Sequence, residues 1–301
     1  MEGTVEYLQF LEKPDLRQPI WLGAFIGWAD AQEGASSAIR YLVERLPATK
    51  FAEIDPEEFY DFTSARPVAY NNSKGERALR WPANQFYYWK GKDGAQDLVL
   101  FLGTEPSLRW RTYCKTLLTA VADYEIKVVV NLGSLLDALP HTRDPLLSGG
   151  GNKEEVKARL QGLRIMGSNY QGPVGITSAF MDACTKLGLD YMSIWAHAPH
   201  YVQRSPNLKI TRALLGQACR ILNIQVPLED LERRGRMFEA EVTKAIATDV
   251  DVSAYVKRLE RQYDEAIAKQ ESQLPEGGVM VEELEKFLKR ERPGPGPFSS
   301  N

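Results

Sequence analysis

Histidine and cysteine are scarce in this chain of 301 residues, with three of each. Cys114, Cys184 and Cys219 are too few and too scattered for a disulfide framework or a thiolate metal cage. Each lies in an apolar, helix-like stretch that suits a buried free thiol. Long apolar runs are missing too: the longest, IWLGAFIGWA, covers residues 20–29, far short of the roughly 20 residues of a membrane span. Charge of one sign is not in excess. Lys and Arg number 37 against 40 Asp and Glu, a formal charge of −3, so neither a nucleic-acid nor a membrane partner is expected. The first residues, MEGTVEYLQFLEKPDL, lack the basic and apolar regions of a secretory signal. A cytoplasmic protein is expected.

Catalytic signatures are equally sparse. No Gly-Lys-Ser/Thr phosphate loop, no G-x-G-x-x-G and no G-x-S-x-G nucleophile elbow occurs. Neither a cofactor nor a metal is expected.

What is present is an alternation of two periods. Short runs rich in β-branched and aromatic residues predict strands at 20–27, 51–54, 86–89, 98–103, 127–132 and 191–196. DLVLFLG and KVVVNLG are almost continuously apolar, as central strands covered on both faces must be. Between them DAQEGASSAIRYLVERL places Ala31, Ala35, Ala38, Ile39, Leu42 and Leu46 on one helix face, with Asp30 as N-cap and Glu33 as its capping-box partner. Further helices are expected in RWRTYCKTLLTAVADY, in TSAFMDACTKLG with Gly188 as stop signal, and over 208–223. Residues 63–89 read as a hairpin excursion, and 141–153 as a mobile loop because of the glycines at 149–151. The pattern predicts an α/β fold, a three-layer α/β/α sandwich spanning residues 1–226. Beyond Pro227 charged helices with narrow apolar stripes predict a C-terminal helical extension over 227–291, and PGPGPFSSN a disordered tail over 292–301. A narrow stripe suits a core edge, a helical hairpin or another subunit.

Four stretches carry candidate chemistry. His197 and His200 in WAHAPHYVQRSPN are spaced i, i+3 with Pro199 between them, which biases Ala198 away from helix and keeps the rings off one helical face. A zinc pair needs the opposite. Service as a general base, at the carboxyl end of a strand where open α/β sheets bind ligands, competes with a satisfied loop histidine. In NLGSLLDALPHTR, Gly133 and Ser134 end an apolar run while Asp137, His141 and Arg143 follow, an anion contact with an Arg clamp or a plain strand exit. In NYQGPVGITSAF the turn at Gly172 precedes Thr177 or Ser178 as helix cap, where free amides suit an anion. In GAFIGWADAQEGAS, Asp30 and Glu33 read better as a capping pair than as acid and base.

Six segments together resemble the PAC2 family, related to proteasome assembly chaperone 2: WLGAFIGWADAQEGAS, LGTEPSLRW, NLGSLLDALPHTR, YQGPVGITSAF, SIWAHAPHYVQRSPN and TRALLGQACRILNIQVPLEDL. They spread over residues 21–231, and Pro199-His200-Tyr201-Val202 followed by Ser205-Pro206-Asn207 is their most specific part. The match is to longer prokaryotic, actinobacterial-type members with a C-terminal helical extension. The resemblance implies a phosphorylase/hydrolase-like α/β/α sandwich, a chaperone role in proteasome assembly and a homo-oligomer, with a trimer favoured. Family labels also name a carboxylate–amine ligase, which no Gly-rich phosphate loop supports here. Some relatives bind proteasomes through a hydrophobic-Tyr-any tail, which the ending PFSSN lacks. Two expectations result. One is a non-enzymatic oligomeric assembly or scaffold protein with a protein client. The other is an enzyme acting on a small anionic substrate where Gly133, Ser134, His141, Arg143, Gly172, Thr177, His197 and His200 converge at one sheet edge.

Overall fold

A computed structural model describes residues 4–272 apart from 6, 93, 94 and 169. Its strands are β1 (Thr4–Val5), β2 (Leu8–Phe10), β3 (Ile20–Ile26), β4 (Thr49–Ile54), β5 (Val68–Asn71), β6 (Arg77–Arg80), β7 (Asn84–Trp89), β8 (Leu98–Thr104), β9 (Val128–Asp137), β10 (Leu147–Gly151), β11 (Met166–Gly167) and β12 (Asp190–Pro199). Its helices are α1 (Gly34–Arg45), α2 (Trp110–Asp123), α3 (Glu154–Gly162), α4 (Ile176–Lys186), α5 (Leu208–Leu222), α6 (Glu229–Ile246) and α7 (Val250–Ser272). No described helix is long and apolar enough to cross a membrane.

Ten strands form one sheet in the order β1-β2-β4-β7-β8-β3-β9-β12-β10-β11. Its centre, β8-β3-β9-β12, is parallel. Antiparallel strands extend it on both sides, β7 against β8 and β10 against β12. Period-two alternation sorts the central side chains onto two faces. Leu22, Ala24, Leu100, Leu132 and Ile194 meet Ile39 and Leu42 of α1 and Leu214 and Leu215 of α5 in an aliphatic layer. Trp21, Phe25, Phe86 and Phe101 meet Tyr113 of α2 and Phe180 of α4 in an aromatic one. Trp21 stacks on Phe101 at 5.0 Å and meets Phe86 edge-on at 5.5 Å. The three-layer α/β/α sandwich is therefore the fold.

Several local expectations need correction. Residues 147–151 are not loop but strand β10, between β12 and β11. Two of its three glycines answer to close packing: a Cβ on Gly151 would collide with Val156 of α3, and one on Gly149 with the Ser193 carbonyl and Ile165. Asp30 does cap α1, but across an intervening 3-10 turn, its Oδ1 accepting from the Ala35 and Ser36 amides at 2.9 and 3.0 Å. Gln32 and Glu33 take left-handed φ values of 53°, so no capping box forms. The expected hairpin is the separate two-stranded ribbon β5–β6.

After Pro227, α6 lies along α5, with Gly235 close to the Lys209 backbone and Phe238 and Val242 packed on Val202. On α7, Val256 and Leu259 are buried. The last expected helix and the tail at 292–301 fall outside the described residues.

Candidate functional site

Strands β9 and β12 run parallel for ten residues each, from Val128 beside Asp190 to Asp137 beside Pro199. Their carboxyl ends carry most of the polar candidates. His197 Nδ1 lies 2.7 Å from Asp137 Oδ2, and Nε2 lies 2.7 Å from the Ser148 hydroxyl on β10. Register explains the line of three. His197 stands opposite Leu135, two residues before Asp137 on β9, and Ser148 stands opposite Trp195, two residues before His197. All share one face of the sheet. Sequence reasoning missed Ser148, whose only signal is its place in LSGGG, read there as loop.

His141 and Arg143 leave β9 and are taken up by the C-terminal helices. His141 is 4% exposed; its Nδ1 lies 2.7 Å from the Tyr201 hydroxyl and its Nε2 3.0 Å from Thr243 of α6. Burial pushes its pKa below the ordinary histidine value. Arg143 makes a two-pronged pair with Asp264 of α7, Nε and Nη2 each 2.8 Å from a carboxylate oxygen, with Glu260 at 3.7 Å. The guanidinium holds the Asp264 carboxyl below its usual range. Lys209 of α5 pairs with Glu239 and donates to the His141 carbonyl at 2.8 Å. Between these groups lies a cavity of about 10 Å³, lined by His141, Arg143, His197 and Lys209 among others. It has room for a single water.

The remaining candidates are placed differently. His200 is exposed, its ring Nδ1 3.0 Å from the Asp137 carbonyl and its Nε2 3.4 Å from the Tyr255 hydroxyl of α7. Ser134 is fully buried, and its hydroxyl donates to the Ala31 carbonyl at 2.8 Å. Gly133 lets the Trp195 ring lie against the strand, where a Cβ would collide with it. Gly172 and Thr177 lie by α4. Gly175, not Thr177 or Ser178, is the residue before that helix, and the first free amide, Ile176 N–H, donates to Glu105 Oε1 at 2.9 Å. The other Glu105 oxygen accepts from the Trp28 amide at 3.1 Å. The helix N-terminus thus already holds an anion, the protein's own carboxylate. Thr177 is buried, its carbonyl bonded by the Tyr191 hydroxyl at 3.1 Å.

The loop after β12 is fixed by Gln32, which sequence reasoning also missed. Its Nε2 donates to the carbonyls of Pro199 and Val202 at 2.7 and 2.6 Å, and its Oε1 accepts from Asn207 at 2.8 Å. Burial pushes the thiols of Cys114 and Cys184 up to about 12 and that of Cys219 to about 11. None is poised as a thiolate nucleophile at neutral pH. Among the described residues no three His, Cys, Asp or Glu side chains group as a metal site requires.

Comparison with known proteins follows the same lines. No curated protein matches the chain. The crystal structure of a PAC2 family protein from Streptomyces avermitilis is 36% identical, with a TM-score of 0.72 over 79% of this chain and 99% of that one. A proteasome-assembly chaperone homologue from Mycobacterium tuberculosis is also 36% identical, with a TM-score of 0.71 and the same coverage. An archaeal proteasome activator from Pyrococcus furiosus, 19% identical, shares the fold with a TM-score of 0.64 over 79% of this chain and 97% of its own. The family model described as PAC2 family matches residues 24–246, ending at the last residue of α6. The chain belongs to the PAC2 family.

Proposed function

We propose that the protein is a chaperone-like assembly factor or scaffold, working in the cytoplasm as a homo-oligomer, a trimer by family analogy, through contacts with protein clients. The observation that carries this reading is what occupies the carboxyl edge of the sheet. His141, Arg143, His197 and His200 gather there, yet each is engaged by the protein itself, and the cavity that His141, Arg143 and His197 line is about 10 Å³. The two cations an anionic substrate would need, Arg143 and Lys209, are committed to Asp264 and Glu239. The α4 amide is committed to Glu105. A binding site for a small anion leaves such donors free.

Two further features support a protein partner. A relative 36% identical over 99% of its length is a proteasome-assembly chaperone homologue. The β5–β6 ribbon exposes Val68 and Tyr70 on one face and Leu79 on the other, at 51, 44 and 53%, with Trp81 just past β6 at 44%. A two-stranded ribbon is marginal alone, and exposed apolar side chains on both its faces leave surface for a protein partner to cover. The test is analytical ultracentrifugation of the purified chain, alone and mixed with unassembled 20S proteasome subunits. Self-association together with a co-sedimenting complex is expected. Failure to bind any free subunit, together with a small anion that raises the melting temperature of the wild type but not of Arg143→Ala, overturns the reading.

A further inference from the structure

We infer that Ser148, His197 and Asp137 form a nucleophile–base–carboxylate triad that accepts an acyl group from small neutral esters, an activity beyond the assembly role and independent of it. The geometry is that of an activated serine. An ionised Asp137 only accepts hydrogen bonds, so at 2.7 Å it fixes the proton of His197 on Nδ1. Nε2 is then left with its lone pair towards the Ser148 hydroxyl, also at 2.7 Å. The residues sit on three adjacent strands, β9, β12 and β10, which hold them more rigidly than loops would. Base next to nucleophile, and carboxylate orienting the base, is the arrangement nucleophilic catalysis needs, whatever the order in the chain.

The surroundings define what could enter. Ser148 is 8% exposed, but Gly150, two residues along on the same face, has no atom within 4 Å of where a Cβ would stand. The residue opposite Gly150 is the small Ser193, and opposite Ser148 is Trp195, an apolar wall lying over Gly133. On the other face α3 closes in over Gly149 and Gly151, so approach is from the Ser148 side. Substrate charge is disfavoured: Asp137 is 40% exposed beside His197, and Arg143 and Lys209 are neutralised by their own carboxylates. A short, uncharged carboxylic ester, reaching Ser148 over the open side of Gly150, is the substrate class these surroundings favour.

The step balances without any further reagent than water. Ser148 Oγ bonds to the ester carbonyl carbon as its proton passes to His197 Nε2. Collapse of the tetrahedral adduct breaks the bond to the alkoxide, which leaves with that proton as the alcohol. Water, deprotonated by the same Nε2, then releases the acid and restores the serine. At Ser148 and Gly149 β10 is paired on both sides, so the backbone beside the nucleophile serves the ladders to β12 and β11 rather than an oxyanion. Turnover is therefore slow, and the covalent adduct is the observable.

The test treats the full chain with a fluorophosphonate probe and with p-nitrophenyl acetate, reading adducts by intact-mass and peptide mass spectrometry. One adduct per chain on Ser148 is expected, lost in Ser148→Ala and formed roughly 100-fold more slowly in His197→Gln, the lower end of general-base catalysis. Should Ser148→Ala fold poorly, Ser148→Cys keeps a nucleophile there and should alkylate with iodoacetamide in a His197-dependent manner. An adduct on another residue, equal rates in wild type and folded His197→Gln, or no adduct on the folded wild type overturns the proposal.

Discussion

The sheet core and the C-terminal helices are held by different forces. In the core, two mainly apolar layers grip the sheet, with Trp21, Phe101 and Phe180 on one side and Leu22, Leu132 and Leu214 on the other. The helices dock mainly through polar reach: Thr243 to His141, Asp264 to Arg143, Glu239 to Lys209 and Tyr263 to the Asp144 carbonyl. Five buried apolar anchors accompany them among the described residues, Leu231, which reaches the aliphatic layer, and Phe238, Val242, Val256 and Leu259. Burial of apolar area is strong and does not depend on ionisation or charge screening, whereas exposed ion pairs contribute little and are screened. The core should thus persist where the helices loosen. The family match takes in the core together with α6 and leaves α7 outside it.

Substitutions can widen or erase that contrast. The largest loss is expected in the core: Trp21→Ala should cost about 3–5 kcal/mol in urea denaturation, because it empties a fully buried site among Phe86, Phe101 and Phe180. At the seam, His141→Ala should cost about 1–3 kcal/mol, since it strips buried hydrogen bonds from Tyr201 and Thr243. A measured loss as large as that of Trp21→Ala would erase the distinction. Acid should act in the same place. Burial lowers the His141 pKa in the folded state, so the unfolded chain binds the proton first. Stability from this group is full above the ordinary value of 6.5 and falls as pH drops below it. Melting temperature should therefore fall between neutral pH and mild acid, and less steeply in His141→Gln. The smallest effect belongs to Asp264→Ala, a slight lowering of melting temperature that disappears in about 1 M salt.

The same contrast explains what could be read from the sequence. The central strands were legible because VVVNL and LVLFL are apolar on both faces, a demand that only buried parallel strands make. β10 was not, because in LSGGG Gly149 and Gly151 reflect how near α3 and β12 approach, a tertiary fact that mimics loop composition. The pairs that build the site also join distant residues. Ser148 and His197 are separated by 49 positions, Glu105 and Ile176 by 71, and Arg143 and Asp264 by 121. The spacing of His197 and His200 correctly kept them off a helix, since His197 is in β12. It carried no information about their partners. Gln32 looked like an ordinary residue of a helix start; only its left-handed backbone and the returning loop make it a clamp.

Assembly itself gives the most direct measurement. Unassembled α and β subunits of a 20S proteasome would be mixed with and without the protein, and complexes followed over time by native mass spectrometry. The account predicts intermediates that carry this chain in several copies, faster appearance of the finished particle, and no chain retained in it. An identical time course with and without the protein, with no subunit-bound species, would contradict it.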